Sequence, residues 1–375
     1  MAEFNVAAGR LKGSYDAVLI STDLEPDDAI CLAVLAPMLK GVPLLCVVGE
    51  GPNDKRTMMA ELLATFGIDE GAQIVQGKTS KAGFPAGVEH AYSDATRAHR
   101  CELLEGGEAA VPQLVEGFLT KHARPFALLL KPPHELLSSP EALLAKTKAA
   151  IYGSFNLQEL RKAMGEAAGG KLSEEELFER QFALMSRFAA LLWIERSCSC
   201  GRDCVLEPAV CPPAVWGAID ASAPLSRHIQ LWNAETVREM GKKIAKLPSE
   251  IDTALGAADG PAADAITAAS YSKLQPTVEK LDKRVKVLLS ISSCAGRQVC
   301  HADTLVAAAL VDDGSLTKFE RPIKLEIDAK LKPTMAADPA STVVAYVADA
   351  GPEREALIKA SFEAIARVLA ATKAA

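Results

Sequence analysis

The sequence predicts an α/β protein: a mostly parallel, mixed sheet with helices on both faces and a helical elaboration, in a single domain over 1–375. Three observations carry that expectation. Short apolar runs alternate with helix-length segments over the first 156 residues, the rhythm of parallel strands covered on both sides. From about 157 to 290 the pattern changes to long helical periodicity. No Gly-, Ser- or Pro-rich linker isolates that stretch, so it reads as an insertion into the same core.

The elements follow in order. DAVLI at 16–20 is the first strand, followed by the polar segment STDLEPDD and the helix AICLAVLAPML. LLCVVG at 44–49, the helix KRTMMAELLATFG and a short QIVQG strand come next. FALLLK at 126–131 is a strand leading into PPHELLSSPEALLAKTKAA, and AIYGSFN at 150–156 is another. SEEELFERQFALMSRFAALLWIER and ETVREMGKKIAKL read as helices, and AADGPAADA near 257–265 as a loop. RPIKLEID at 321–328 and STVVAYVADA at 341–350 are late strands. EREALIKASFEAIARVLAATKAA closes the chain as an amphipathic helix.

Composition narrows the classes. A chain of 375 residues with 49% hydrophobic and 24% charged residues is a packed protein, not a disordered, collagen-like or coiled-coil one. A net charge of -7 argues against nucleic acid or an anionic membrane as the main partner. The most apolar stretch, FALMSRFAALLWIER, is broken by Arg187 and falls short of the ~20 residues a span needs. The N-terminal segment has no apolar signal core, and nine cysteines, an odd number, do not suggest a disulfide framework. A reducing, cytoplasmic setting is the expectation.

The segment VLISTDLEPDDAICLAVL carries the chemistry. Asp23, Glu25, Asp27 and Asp28 crowd the carboxyl end of the first strand, where ligands bind in open α/β sheets. Helix capping accounts for part of this, with Asp27 as the N-cap and Asp28 in the first turn. It does not account for Asp23, four residues before Asp27. Carboxylates this close repel, and a bound cation or a raised pKa relieves them. Oxygen donors with no nearby His or Cys favour a hard ion, Ca²⁺ or Mg²⁺. A further ligand must come from elsewhere, and CHADTLVAAAL at 300–310 offers Asp303 before a small-residue helix, with His301 two positions upstream. There too, capping by Asp303 and an ordinary loop histidine are the plainer alternative.

Together these segments resemble the nucleoside hydrolase superfamily, of the inosine-uridine-preferring type. Asp23, Asp27, Asp28 and Ala29 match the latter part of that family's opening D-x-D-x-x-x-D-D-A, and Asp303-Thr304-Leu305-Val306-Ala307 resembles its late H-D-x-L-A. FALLLKPPHEL looks like the apolar strand before G-P-L-T-N-L, and the stretch from PIKLEID to VVAYVADAG like the strand-turn-strand ending. The resemblance spans roughly 15–365 and is poor over 157–290. It implies a Rossmann-like sheet and a calcium-dependent hydrolase of the N-glycosidic bond of a nucleoside or related ribosyl compound. Asp23 would be a calcium ligand and general base, and Asp28 and Asp303 further ligands. His134 stands where the family offers a backbone carbonyl to the ion. Asp27 and Asn156 would hold sugar hydroxyls, with Glu50 at a further sugar contact, and His301 would serve the leaving base. Family members tend to form dimers or tetramers.

The sequence also departs from the family. Ser21 replaces the first acid, Glu50 an Asn, Ser154 the Glu of E-F-N, and His134-Glu135 the T-N pair. Exchanging Asn for Glu adds charge and removes donors, so hydroxyl recognition changes. The alternative is therefore a catalytically inactive, pseudoenzyme member acting as a structural or binding subunit of a larger assembly. A third reading is a sensor that binds a ribosyl ligand intact. GEAAGGKL at 165–172 only imitates a phosphate loop, because Leu172 replaces the Ser or Thr that would bind magnesium. Cys198, Cys200, Cys204 and Cys211 lack paired C-x2-C knuckles for zinc, and reduced thiols are the expectation. Trp193, Trp216 and Trp232 read as core or interface, and His90, His99, His122 and His228 have no motif around them.

Overall fold

The computed structural model describes residues 2–7, 9–49, 53–79, 99–131, 133–153, 174–195, 217, 223–246, 303–312, 314–327, 333–346 and 352–372. A small antiparallel hairpin, β1 (Phe4–Val6) and β2 (Gly13–Tyr15), opens the chain. The main sheet comprises β3 (Ala17–Thr22), β4 (Leu44–Val48), β5 (Gln73–Gln76), β6 (Glu102–Leu104), β7 (Pro125–Leu129), β8 (Lys148–Gly153), β9 (Ala190–Glu195), β10 (Glu320–Ile327), β11 (Pro333–Ala337) and β12 (Val343–Tyr346). Its ten strands run in the order β11-β10-β12-β9-β8-β7-β3-β4-β5-β6. Every pair from β12 to β6 is parallel, and β10 runs antiparallel to both β11 and β12, making a mixed, mostly parallel sheet as the sequence suggests.

Alternating side chains divide the sheet between two apolar layers. Val18, Ile20, Leu44 and Cys46 face one layer, and Ala17, Leu19, Leu45 and Val47 the other. Each fully buried aliphatic side chain contributes about 1.5–3 kcal/mol, which is why the strands read as unbroken apolar runs. The helices are α1 (Pro26–Leu39), α2 (Arg56–Phe66), α3 (Gly107–Lys121), α4 (Glu141–Leu144), α5 (Glu174–Ser186), α6 (Ala223–Ala245), α7 (Asp303–Val311) and α8 (Pro352–Thr372). Helix α1 is buried on nearly all sides, packed by α6, α7 and α8. Among the described residues, no helix is long and apolar enough to cross a membrane.

Among the described residues of 157–290, the helical reading fails at 190–195. Helix α5 stops at Ser186, and ALLWIE forms β9, hydrogen-bonded between β8 and β12. A short apolar run buried on both faces has no period that separates helix from strand. The turn that separates them is tertiary: the Ala189 N–H donates to the carbonyls of Leu144 (3.2 Å) and Thr147 (2.9 Å). β11 and β6 are also strands that the apolar pattern alone does not reveal. Trp193 and Trp232 are buried core residues as expected, and Trp216 lies outside the described residues.

The topology has a switch point. From β3 the chain steps outward through β4, β5 and β6, then returns to place β7 on the other side of β3. The sheet order therefore switches at β3 and β7, and ligands in such sheets bind beyond the carboxyl ends of the strands at that point. Asp23 follows β3 directly, and Lys131 comes two residues after β7.

Candidate functional site

The turn from β3 to α1 is built on hydrogen bonds among its own acids. The N-cap of α1 is Glu25, with Pro26 first in the helix, so Asp27 is not the cap but the second helical residue. Asp28 closes a capping box, its Oδ2 accepting from the Glu25 N–H at 3.1 Å. Its other oxygen accepts from the Thr22 hydroxyl, and the Thr22 oxygen in turn accepts from the Leu24 N–H at 3.0 Å. Leu24, fully buried, takes a left-handed conformation (φ 58°), costly for a branched side chain.

Asp303 reaches this turn from the far end of the chain. Helices α1 and α7 pack together, and the backbone N–H of Asp303 donates to Asp27 Oδ2 at 3.1 Å. One oxygen from each of Asp27, Asp28 and Asp303 lies within 4.8 Å of the others, and all three residues are buried. Asp23 keeps partial exposure at the rim. Asp303 Oδ1 is buried and has no hydrogen-bond partner among the described residues.

The electrostatics of the cluster would suit a bound cation. Burial, then Asp23, Asp303 and Asp27, pushes the Asp28 carboxyl well above its ordinary range. Burial, then Asp27, Asp23 and Glu25, does the same to Asp303. Burial also raises Asp23, but Lys55 and Lys131 act against it. Against the four aspartates stand two helix N-termini, each equivalent to roughly half a positive charge, and the buried Lys55. The all-oxygen donor set and the unsatisfied Asp303 oxygen fit a hard ion.

Several nearby residues, Lys55, His228 and Lys131 among them, were given no role from the sequence. Lys55, fully buried, donates from Nζ to the Asp23 carbonyl, with its ammonium 5.8 Å from the centre of the Trp232 ring. His228 of α6, which no sequence motif surrounds, places Nε2 3.2 Å from the Leu24 carbonyl. Lys131 and Glu135 form a fully enclosed ion pair (3.0 Å), and Glu135 also accepts from the Ser21 hydroxyl. A Cβ at Gly49 would come within 3.3 Å of Lys131 Cε and 3.1 Å of the Lys78 carbonyl, so the close approach there suits glycine. Of the other expected residues, His134 opens a single 3-10 turn over His134–Leu136 after β7. Glu50, Asn156, His301 and the cysteines from Cys198 to Cys211 lie outside the described residues.

Fold and cluster together define an open α/β protein with a buried carboxylate site at the sheet's switch point. No family model and no curated protein matches the chain. Among solved structures it is similar to a purine-preferring ribonucleoside hydrolase from Gardnerella vaginalis, with 11% identity and a TM-score of 0.49, over 94% of this chain and 99% of that one. An inosine-guanosine nucleoside hydrolase gives 11% identity and a TM-score of 0.44 over 93% and 98%. Likenesses of this size carry no weight for activity, which must be read from the site's own chemistry.

Proposed function

We propose that the chain is a calcium-dependent hydrolase of N-glycosidic bonds, acting on a nucleoside or related ribosyl compound in a cytoplasmic setting. The convergence of Asp27, Asp28 and Asp303 on one buried point, with Asp23 at its partly exposed rim, carries this reading. Asp23, Asp28 and Asp303 would hold the ion, and a donor set of several carboxylates suits calcium better than magnesium, which keeps more of its water. Bound there, the cation supplies fixed positive charge that orients hydroxyl groups and makes water a better acid.

The remaining chemistry belongs to the side chains. Asp23, open on one side and flanked by Lys55 and Lys131, is placed to take the proton of an attacking water. As the glycosidic bond breaks, positive charge develops on the sugar ring, and carboxylates fixed beside it stabilise that charge without reorganising. Asp27 engages sugar hydroxyls, as do Glu50 and Asn156, and His301 protonates the leaving base. His134 contributes through its backbone carbonyl. Purified protein incubated with a panel of nucleosides and calcium should release free base, and EDTA or Asp23→Asn should stop it. No release from any nucleoside in calcium would refute the hydrolase reading.

One observation favours a second reading. The Ser21–Glu135–Lys131 chain links β3 to the segment after β7 through a buried ion pair whose members satisfy each other. That pattern suits a catalytically silent protein used as a structural or binding subunit, as a homo-oligomer or within a larger assembly. Co-purification with a partner at fixed stoichiometry, together with no turnover, would support it.

A further inference from the structure

The strand-to-helix turn that carries Asp23 is held from outside by two side chains remote in sequence. The Asp23 carbonyl accepts from Lys55 Nζ, contributed by the residue that precedes α2. The next carbonyl, that of Leu24, faces His228 Nε2 at 3.2 Å from α6. A carbonyl only accepts, so Nε2 carries the proton and donates. Trp232, one helical turn beyond His228, joins the two contacts: its ring lies 6.2 Å from the imidazole and 5.8 Å from the Lys55 ammonium. Lys55, His228 and Trp232 are all buried. Between the two gripped carbonyls lies the one described non-glycine residue with positive φ, Leu24. A left-handed leucine persists only where its surroundings over-determine it. Leu24 meets that condition, with Thr22 holding its N–H and His228 its carbonyl.

The geometry points to His228 and Lys55 as positioning residues, braced together by Trp232, that hold the Asp23–Leu24 turn in its left-handed bend and so fix how Asp23 is presented to the cation site. The inference rests on the cation-site reading above and adds to it a specific role for α6. Asp28 accepts from the Thr22 hydroxyl before this bend and from the Glu25 N–H after it, so the chain must turn back within it. Without the clamp, Leu24 relaxes toward negative φ and the Asp23 carboxylate swings away from Asp28. His228→Gln retains an amide nitrogen near the position of Nε2, whereas His228→Leu keeps bulk and loses the donor.

Two readouts on the full chain test this. The first is hydrogen exchange at the Leu24 and Glu25 amides in EDTA, which needs no cation. The second is calorimetric titration with calcium alone. His228→Leu and Lys55→Met should each speed exchange at these amides about tenfold and weaken calcium binding about tenfold, while His228→Gln stays within about twofold of wild type. Ile229→Ala, which removes core packing from the adjacent position of α6, should lower Tm but leave both readouts unchanged. Unchanged exchange and calcium affinity in both His228→Leu and Lys55→Met would overturn the clamp. So would an Ile229→Ala protein that loses calcium affinity as much as His228→Leu does. A wild type that binds no calcium, but whose turn exchange still depends on His228 and Lys55, supports the clamp and overturns the cation-site reading instead.

Discussion

Replacing Asp303 with Asn should stabilise the cation-free protein while abolishing its response to calcium. Asn keeps the shape of the side chain and removes its charge. In the native chain an oxygen of Asp303 lies within 4.8 Å of oxygens from both Asp27 and Asp28. Two unit charges at that separation repel by roughly 3.5 kcal/mol at an effective dielectric of about 20. Proton uptake limits the penalty, because a carboxyl kept neutral at pH 7 costs about 4 kcal/mol relative to an ordinary one. The amide must itself be desolvated, so a net gain of about 2–3 kcal/mol is expected. For 375 residues, at about 2.1 cal/mol/K of unfolding entropy per residue, this raises Tm by about 3–4 °C. Scanning calorimetry in EDTA and in calcium reads both effects: calcium should raise the Tm of the wild type and leave Asp303→Asn unmoved. A cation-free variant several degrees less stable than wild type would refute the reasoning, since Asp303 would then be acting as a structural helix-end residue.

Three other outcomes follow from the same groups. Asp28 and Asp303 have carboxyls raised in the folded state, so the cation-free fold loses stability as pH rises from the ordinary carboxylate range through the raised values, by up to about 1.4 kcal/mol per pH unit for each proton released. Calcium needs these groups ionised, so the Tm difference between calcium-loaded and EDTA-treated protein should widen from pH 5 to pH 8; a constant difference contradicts this. His228 acts in the opposite sense: burial lowers its pKa to about 4, so its contribution is complete above the ordinary histidine value of 6.5 and is lost as pH falls toward 4. The loss amounts to about 3 kcal/mol and should be absent from the urea-melt pH profile of His228→Gln. Lys131→Met should cost about 3–5 kcal/mol by stranding the buried Glu135 carboxylate, whereas Lys131→Met with Glu135→Leu should cost far less. A double variant as unstable as the single one would show that the pair is not the source of the cost.

The sequence revealed those parts of the site that are local or tied to a pattern. Asp23, Asp27 and Asp28 fall within six residues at a strand end, and an acid there carries chemical meaning from its position alone. Asp303 could be paired with them only through the resemblance, because nothing local brings residues 276 positions apart together. Lys55 follows Pro52, Asn53 and Asp54, a polar context that reads as surface, and a buried lysine has no sequence signature of its own. His228 was more accessible: it lies on the face of α6 that also carries Leu225, Ile229 and Trp232, and a histidine within an apolar stripe must find a partner in the interior. The central strands were legible as uninterrupted apolar runs. β9 was not, because its run continues directly from a helix with no Gly or Pro between them, and tertiary hydrogen bonds make the turn.

The central claim is that carboxylates from opposite ends of the chain share one divalent ion at the switch point of the sheet. Crystals grown in calcium, with diffraction collected at a wavelength where calcium scatters anomalously, test it directly. The account predicts a single anomalous peak among the side chains of Asp23, Asp27, Asp28 and Asp303, at about 2.3–2.6 Å from oxygens contributed by both α1 and α7. Well-ordered aspartates in millimolar calcium with no peak among them would contradict it.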